Sequence, residues 1–142
     1  MSSQSLAFLI TVVLLFPMGY LLIAAPAFLL VRLSIPTVTV LLRGMFNVYL
    51  WMLLAVSPPA LIVYAATAHI GLALCVALIL AVALFGRRWF LRHIDMALVA
   101  RDSGDADTAA LAVQRLRGLH WIGMLVNLAQ LATVIGGIQY LL

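Results

Sequence analysis

The chain has no glutamate, no lysine, one cysteine and only four aspartates in 142 residues. Each shortage excludes something. Asp95, Asp102, Asp105 and Asp107 sit close together, so no carboxylate falls inside the long apolar runs, where proton-coupled carriers usually need one. Cys75 cannot form an internal disulfide and fits a small packing residue. No paired carboxylates, glycine-rich phosphate loop, nucleophile elbow or Cys/His zinc spacing occurs, and the reading is of a non-enzyme. Asp102, Asp105 and Asp107 superficially resemble a calcium loop, but the closing glutamate is missing, so capping and solvation account for them.

Charge of either sign is scarce. Charged residues make up 8% of the chain, hydrophobic residues 67%, and mean hydropathy is +1.25. A soluble domain of this size needs more polar surface than that. Residues 1–31, 44–86 and 118–142 carry no charge at all. A bilayer core of about 30 Å takes roughly 20 apolar residues in a helix. The first and last runs therefore provide one crossing each, and the middle run provides two joined by a turn near His69. The expected fold is all-α: one integral membrane four-helix bundle over 1–142, with spans at about 6–31, 45–68, 71–90 and 118–141. The first run is too long for a signal peptide and lacks preceding positive charge, so it reads as retained.

The basic residues are all arginine, at positions 32, 43, 87, 88, 92, 101, 115 and 117. Every one falls in or beside the loops that follow the first and third spans. The positive-inside rule then puts both loops in the cytoplasm and both termini outside, in a bacterial inner membrane. A pI near 10 thus signals lipid, not nucleic acid, and Arg87, Arg88 and Arg92 are expected on anionic headgroups. Between Arg87 and Arg117, Leu91, Ile94, Leu98, Leu111, Val113 and Leu116 recur at helical spacing. The third and fourth helices are therefore expected to extend into the cytoplasm as a hairpin that turns at Asp102–Asp107. Ser34 is a candidate cap with Pro36 in the first turn behind it. Tyr49 and Trp51 fit an interfacial aromatic belt, and Ser57-Pro58-Pro59 predicts a kink.

His120, Gly123, Asn127, Gln130, Val134 and Gly137 follow three- and four-residue steps and share one helical face. Amides and glycines so placed point to close interhelical packing with hydrogen bonds. The alternative is a polar path along His120, Asn127 and Gln130 facing the proline kink. His93 and His120 fall at one depth and are candidate haem or metal ligands, although no cofactor is expected. Met18, Met45, Met52 and Met124 with Cys75 offer soft sulfur, but their scatter suits packing. The function expected is a non-catalytic accessory or interaction subunit of a larger inner-membrane assembly. Its partners are then membrane lipid and other membrane subunits or further copies of itself. The alternatives are a small-solute or metal transporter and a haem- or metal-binding protein.

Arg115-Leu116-Arg117-Gly118-Leu119-His120, followed by Asn127-Leu128, resembles the last-helix signature of the transmembrane protein 205-like family. Phe28-Leu29-Leu30-Val31-Arg32 and Met45-Phe46-Asn47-Val48-Tyr49 are similar to that family's arginine ending of the first helix and Phe-x-x-Tyr entry to the second. Trp121 and Gly123 stand where the family often has glycine and serine. The resemblance implies a small four-helix membrane domain, of a kind found in bacteria and eukaryotes, with a hint of export or trafficking.

Overall fold

The computed structural model describes residues 2–139 and is all-helical. Helix α1 spans Ser3–Ala24, α2 Pro36–Ala66, α3 Ile70–Arg101 and α4 Ala106–Ile138, with a 3-10 turn at Ala25–Leu29 after α1. All four helices are long and apolar enough to cross a membrane. The far end of the expected fourth span, residues 140 and 141, lies outside the described residues. Each helix packs on two neighbours: α1 on α2 and α4, and α3 on α2 and α4. The result is a closed ring in which α2 and α4 stand diagonally.

Local chemistry sets the helix ends. The side chain of Ser2 accepts the Ser5 amide at 3.1 Å and caps α1. Pro26 has no N–H to continue the α pattern, and the chain tightens to 3-10 there instead of running as α-helix to residue 31. The cap of α2 is Ile35 in an extended conformation with Pro36 at the first position, not Ser34. The fixed φ of proline starts this helix without a side-chain cap. Pro58 and Pro59 do not end α2, which stays helical through both. They would free the carbonyls of Leu54 and Ala55; Pro59 and Ala55 are exposed, Pro58 and Leu54 half-buried, and Ser57 fully buried.

The turn after α2 is a Schellman motif. The His69 amide donates to the Tyr64 carbonyl at 2.9 Å and the Ala68 amide to the Ala65 carbonyl at 3.3 Å. Ala68 occupies the left-handed position, with φ of 60°. The α3–α4 turn gives its left-handed position to Gly104, φ 85°. Asp105 then caps α4, its carboxylate accepting the Thr108 amide at 2.9 Å. The expected turn is thus confined to 102–105, and Asp107 lies in the first turn of α4.

Polarity is reversed relative to a water-soluble bundle. Thr11, Thr39, Ser57, His120, Asn127 and Gln130 are buried, while Phe16, Ile23, Leu30, Ile62 and Leu74 stand outward. On the hairpin, Leu91, Ile94 and Leu116 are buried as the spacing predicts. The inward face continues through Ala97 and Ala112, however, and Leu111 is exposed.

Candidate functional site

Two places gather polar side chains. The first is a buried seam along α4. Six residues expected to share a face do so, and His120, Asn127, Gln130, Val134 and Gly137 are buried, with Gly123 half-buried. The Asn127 amide donates to the Met18 carbonyl on α1 at 3.1 Å. The Tyr49 hydroxyl donates to Gln130 Oε1 at 2.6 Å and spans the diagonal between α2 and α4. Tyr49 is therefore an interior residue, not an interfacial one. The spacing that reveals this is present in the sequence. Phe46, Leu50, Leu53, Ser57, Ala60 and Tyr64 recur every three or four residues, and Tyr49 joins the same buried face. Farther along it, the Tyr64 hydroxyl lies 2.5 Å from that of Thr11 on α1.

The seam is closely packed at Gly123, where a Cβ would come within 2.4 Å of Phe46 Cε1. The Phe46 ring meets Phe90 edge-on at 4.8 Å between centroids, and His120 lies against it at 5.9 Å. Several buried atoms make no bond among the described residues: Ser57 Oγ, both His120 ring nitrogens, Asn127 Oδ1 and Gln130 Nε2.

His93 is elsewhere. Its Nδ1 lies 2.7 Å from the Trp89 carbonyl and its ring rests on the Trp89 indole at 4.2 Å. It lines an outward groove with Arg88, Arg92 and Met96. His120 instead faces inward between Phe28 and Phe46. The structure does not bring the two histidines together, because rotation about the helix axes separates residues that depth alone would pair. The sulfurs are likewise spread out. Cys75 lines a cleft beside the Ala68–His69 turn, and Met124 lines another between α1 and α4.

The second place is a groove between α2 and α3 lined by Arg43, Arg87, Arg88 and Arg92 with Asn47 and Asp95. Arg43 reaches Asp95 with Nε and with Nη2, the latter at 2.9 Å, in a bidentate pair. The Arg87 guanidinium sits 4.2 Å above the Trp51 ring. The three arginines expected together are together, and Arg43 joins them from α2, a pairing that separation in sequence conceals. At the hairpin tip, Arg101 holds Asp102 at 2.8 Å and also donates to the Thr39 hydroxyl, tying the start of α2 to the end of α3. No protein-family model matches this chain, and neither a curated protein nor a solved structure matches it.

Proposed function

We propose that this is a small integral membrane protein acting as a non-catalytic accessory or interaction subunit of a larger inner-membrane assembly. The observation that supports this reading most is the reversed polarity: buried Asn127 and Gln130 inside, and side chains such as Leu30, 91% exposed, outside. A surface of that kind calls for lipid or partner helices. Gly19 on α1 and Gly136 on α4 each have open space beside them, which leaves room at either place for a helix from another chain to approach. Arginine placement supports an orientation with the α3–α4 hairpin in the cytoplasm and both termini outside. Gentle detergent extraction followed by native mass analysis tests the reading. Retained partner subunits or a homo-oligomer are expected, and a bare monomer without either overturns it.

Passage of a small polar solute is a second reading, favoured by the unbonded polar atoms of Ser57, His120, Asn127 and Gln130 within the bundle. Under it, Asn127→Leu abolishes flux in proteoliposomes while the folded yield stays unchanged. Unaltered flux with a loosened bundle would make Asn127 a packing residue.

A further inference from the structure

We infer that the groove between α2 and α3 binds a phosphate-bearing anion, supplied by the headgroup of an anionic membrane lipid. The groove is about 720 Å³, and four guanidiniums face a single carboxylate there. Asp95 is engaged by Arg43 through both of its oxygens, which leaves three positive charges uncompensated. Arg88 and Arg92 are exposed, one helical turn apart on α3, where like charges repel. Arg87 adds a second and independent observation. Its Nε is buried and makes no hydrogen bond among the described residues, while Trp51 fixes the guanidinium from one side. A buried charged donor without an acceptor is costly, and a phosphate oxygen supplies an acceptor suited to arginine.

The groove has two ends. The Arg87–Trp51 contact and the Arg43–Asp95 pair are eight residues apart on both helices, or about 12 Å at 1.5 Å per residue. That length suits a headgroup better than a point ion. A soluble phosphate compound offers the same oxygens, but the surroundings favour lipid. Trp51 and Leu84, both exposed, follow Asn47 and Arg88 by one turn toward the apolar part of their helices. They provide a strip for an acyl chain directly beside the charged groove, with Trp51 in the place of an interfacial aromatic. The inference rests on the membrane reading above, but not on any partner subunit.

The test uses the purified full-length chain in neutral detergent, where binding does not depend on orientation in a cell. Retention of phosphatidylglycerol, phosphatidylcholine and inorganic pyrophosphate is measured by native mass analysis. Phosphatidylglycerol should be retained over phosphatidylcholine. Arg88→Gln/Arg92→Gln should weaken it about thirtyfold and Arg92→Gln alone about fivefold. Arg115→Gln/Arg117→Gln removes equal charge at exposed sites outside the groove and should leave retention unchanged. Equal retention of the two lipids, or equal loss in both double variants, overturns the site. Binding of pyrophosphate without phosphatidylglycerol overturns the lipid source. Helical circular dichroism on each variant separates lost binding from lost folding, and the single variant carries the test if the double variant does not fold. Phosphatidylglycerol bound by a chain of the opposite orientation would leave this site standing and remove only the topology.

Discussion

Gly123 is the residue at which the buried seam tolerates least change. A Cβ there would lie 2.4 Å from Phe46 Cε1, 2.6 Å from Phe46 Cζ and 3.2 Å from Phe90 Cζ. Phe46 cannot easily withdraw, because Phe90 and His120 flank its ring. Gly123→Ala should therefore destabilise the bundle by about 1–3 kcal/mol. Gly137 looks equally tight at 2.3 Å, but its obstacle is Cδ2 of Leu72, the end of a flexible side chain, so Gly137→Ala should cost less. Gly136 has open space, and Gly136→Ala should cost nothing. The order is read from unfolding midpoints in a sodium dodecyl sulfate titration in mixed micelles. Equal midpoints for Gly123→Ala and Gly136→Ala would show that the Phe46 wedge does not constrain packing. The same seam predicts a weak coupling, about 0.6 kcal/mol, between Tyr49→Phe and Gln130→Leu in a double-mutant cycle. At this scale the sequence shows which face of α4 is polar, since spacing alone carries that. It does not show that Gln130 meets Tyr49 or that Asn127 meets the Met18 carbonyl. Partner height depends on how far each helix slides past its neighbour, and no periodicity encodes that.

Among the elements, the two tight turns differ in how well their residues suit their backbones. The α2–α3 turn places Ala68 at a φ of 60°, a conformation that is disfavoured for any residue with a Cβ. The α3–α4 turn uses Gly104 for the same purpose. Ala68→Gly should accordingly stabilise the bundle by about 1 kcal/mol, provided that both Schellman bonds persist, and a loss of stability would argue against this geometry. The start of α4 should be sensitive to pH. The Thr108 hydroxyl, and then its amide, hold the Asp105 carboxyl below its ordinary value of 3.8. Because the folded value is depressed, this contribution is fully present above the ordinary carboxylate range and is lost as pH falls through the folded value. Hydrogen exchange at the Thr108 amide should quicken in acid, and Asp105→Ala should show the fast exchange at neutral pH. Exchange that is identical in wild type and variant would mean that Asp105 is not the cap. Element boundaries were legible at Pro36 and Gly104, where a residue starts or breaks the helix, but not at Pro26, where an apolar run without charge hides the change from α to 3-10. The proline pair in α2 does not end the helix, and the physical reason is general. Neighbouring groups and local adjustment satisfy a helix that loses two amides, so proline predicts a disturbance and not its outcome.

At the level of the whole molecule, length and charge together bear on orientation. Helices α2, α3 and α4 contain 31, 32 and 33 residues, or about 46–50 Å each, and exceed a bilayer core of about 30 Å. On the proposed membrane reading each would project, and the arginines would mark the end that does. Arg87, Arg88, Arg92 and Arg101 occupy the last part of α3, Arg115 and Arg117 the first part of α4, and Arg43 the start of α2. None lies near the Ala68–His69 turn. Four helices and their apolar faces were legible because desolvation of the backbone leaves so few alternatives for a chain this apolar. The pairing of Arg43 with Asp95 was not, since it joins residues on two helices through their rotation about one another. The charge asymmetry supports the proposed orientation, which is open to a direct check with dual reporter fusions. A fusion after Gly104 should report cytoplasm, and fusions after His69 and Leu142 should report the outer side. A cytoplasmic signal from the His69 and Leu142 fusions, with an outer signal from Gly104, would invert the topology and place the arginine groove in the opposite leaflet. Removing the positive charge of the hairpin should weaken the orientation by the same logic. Arg87→Gln/Arg88→Gln/Arg92→Gln should give mixed signals at Gly104, whereas Asp102→Asn/Asp107→Asn should not, because acidic residues contribute little to the positive-inside bias.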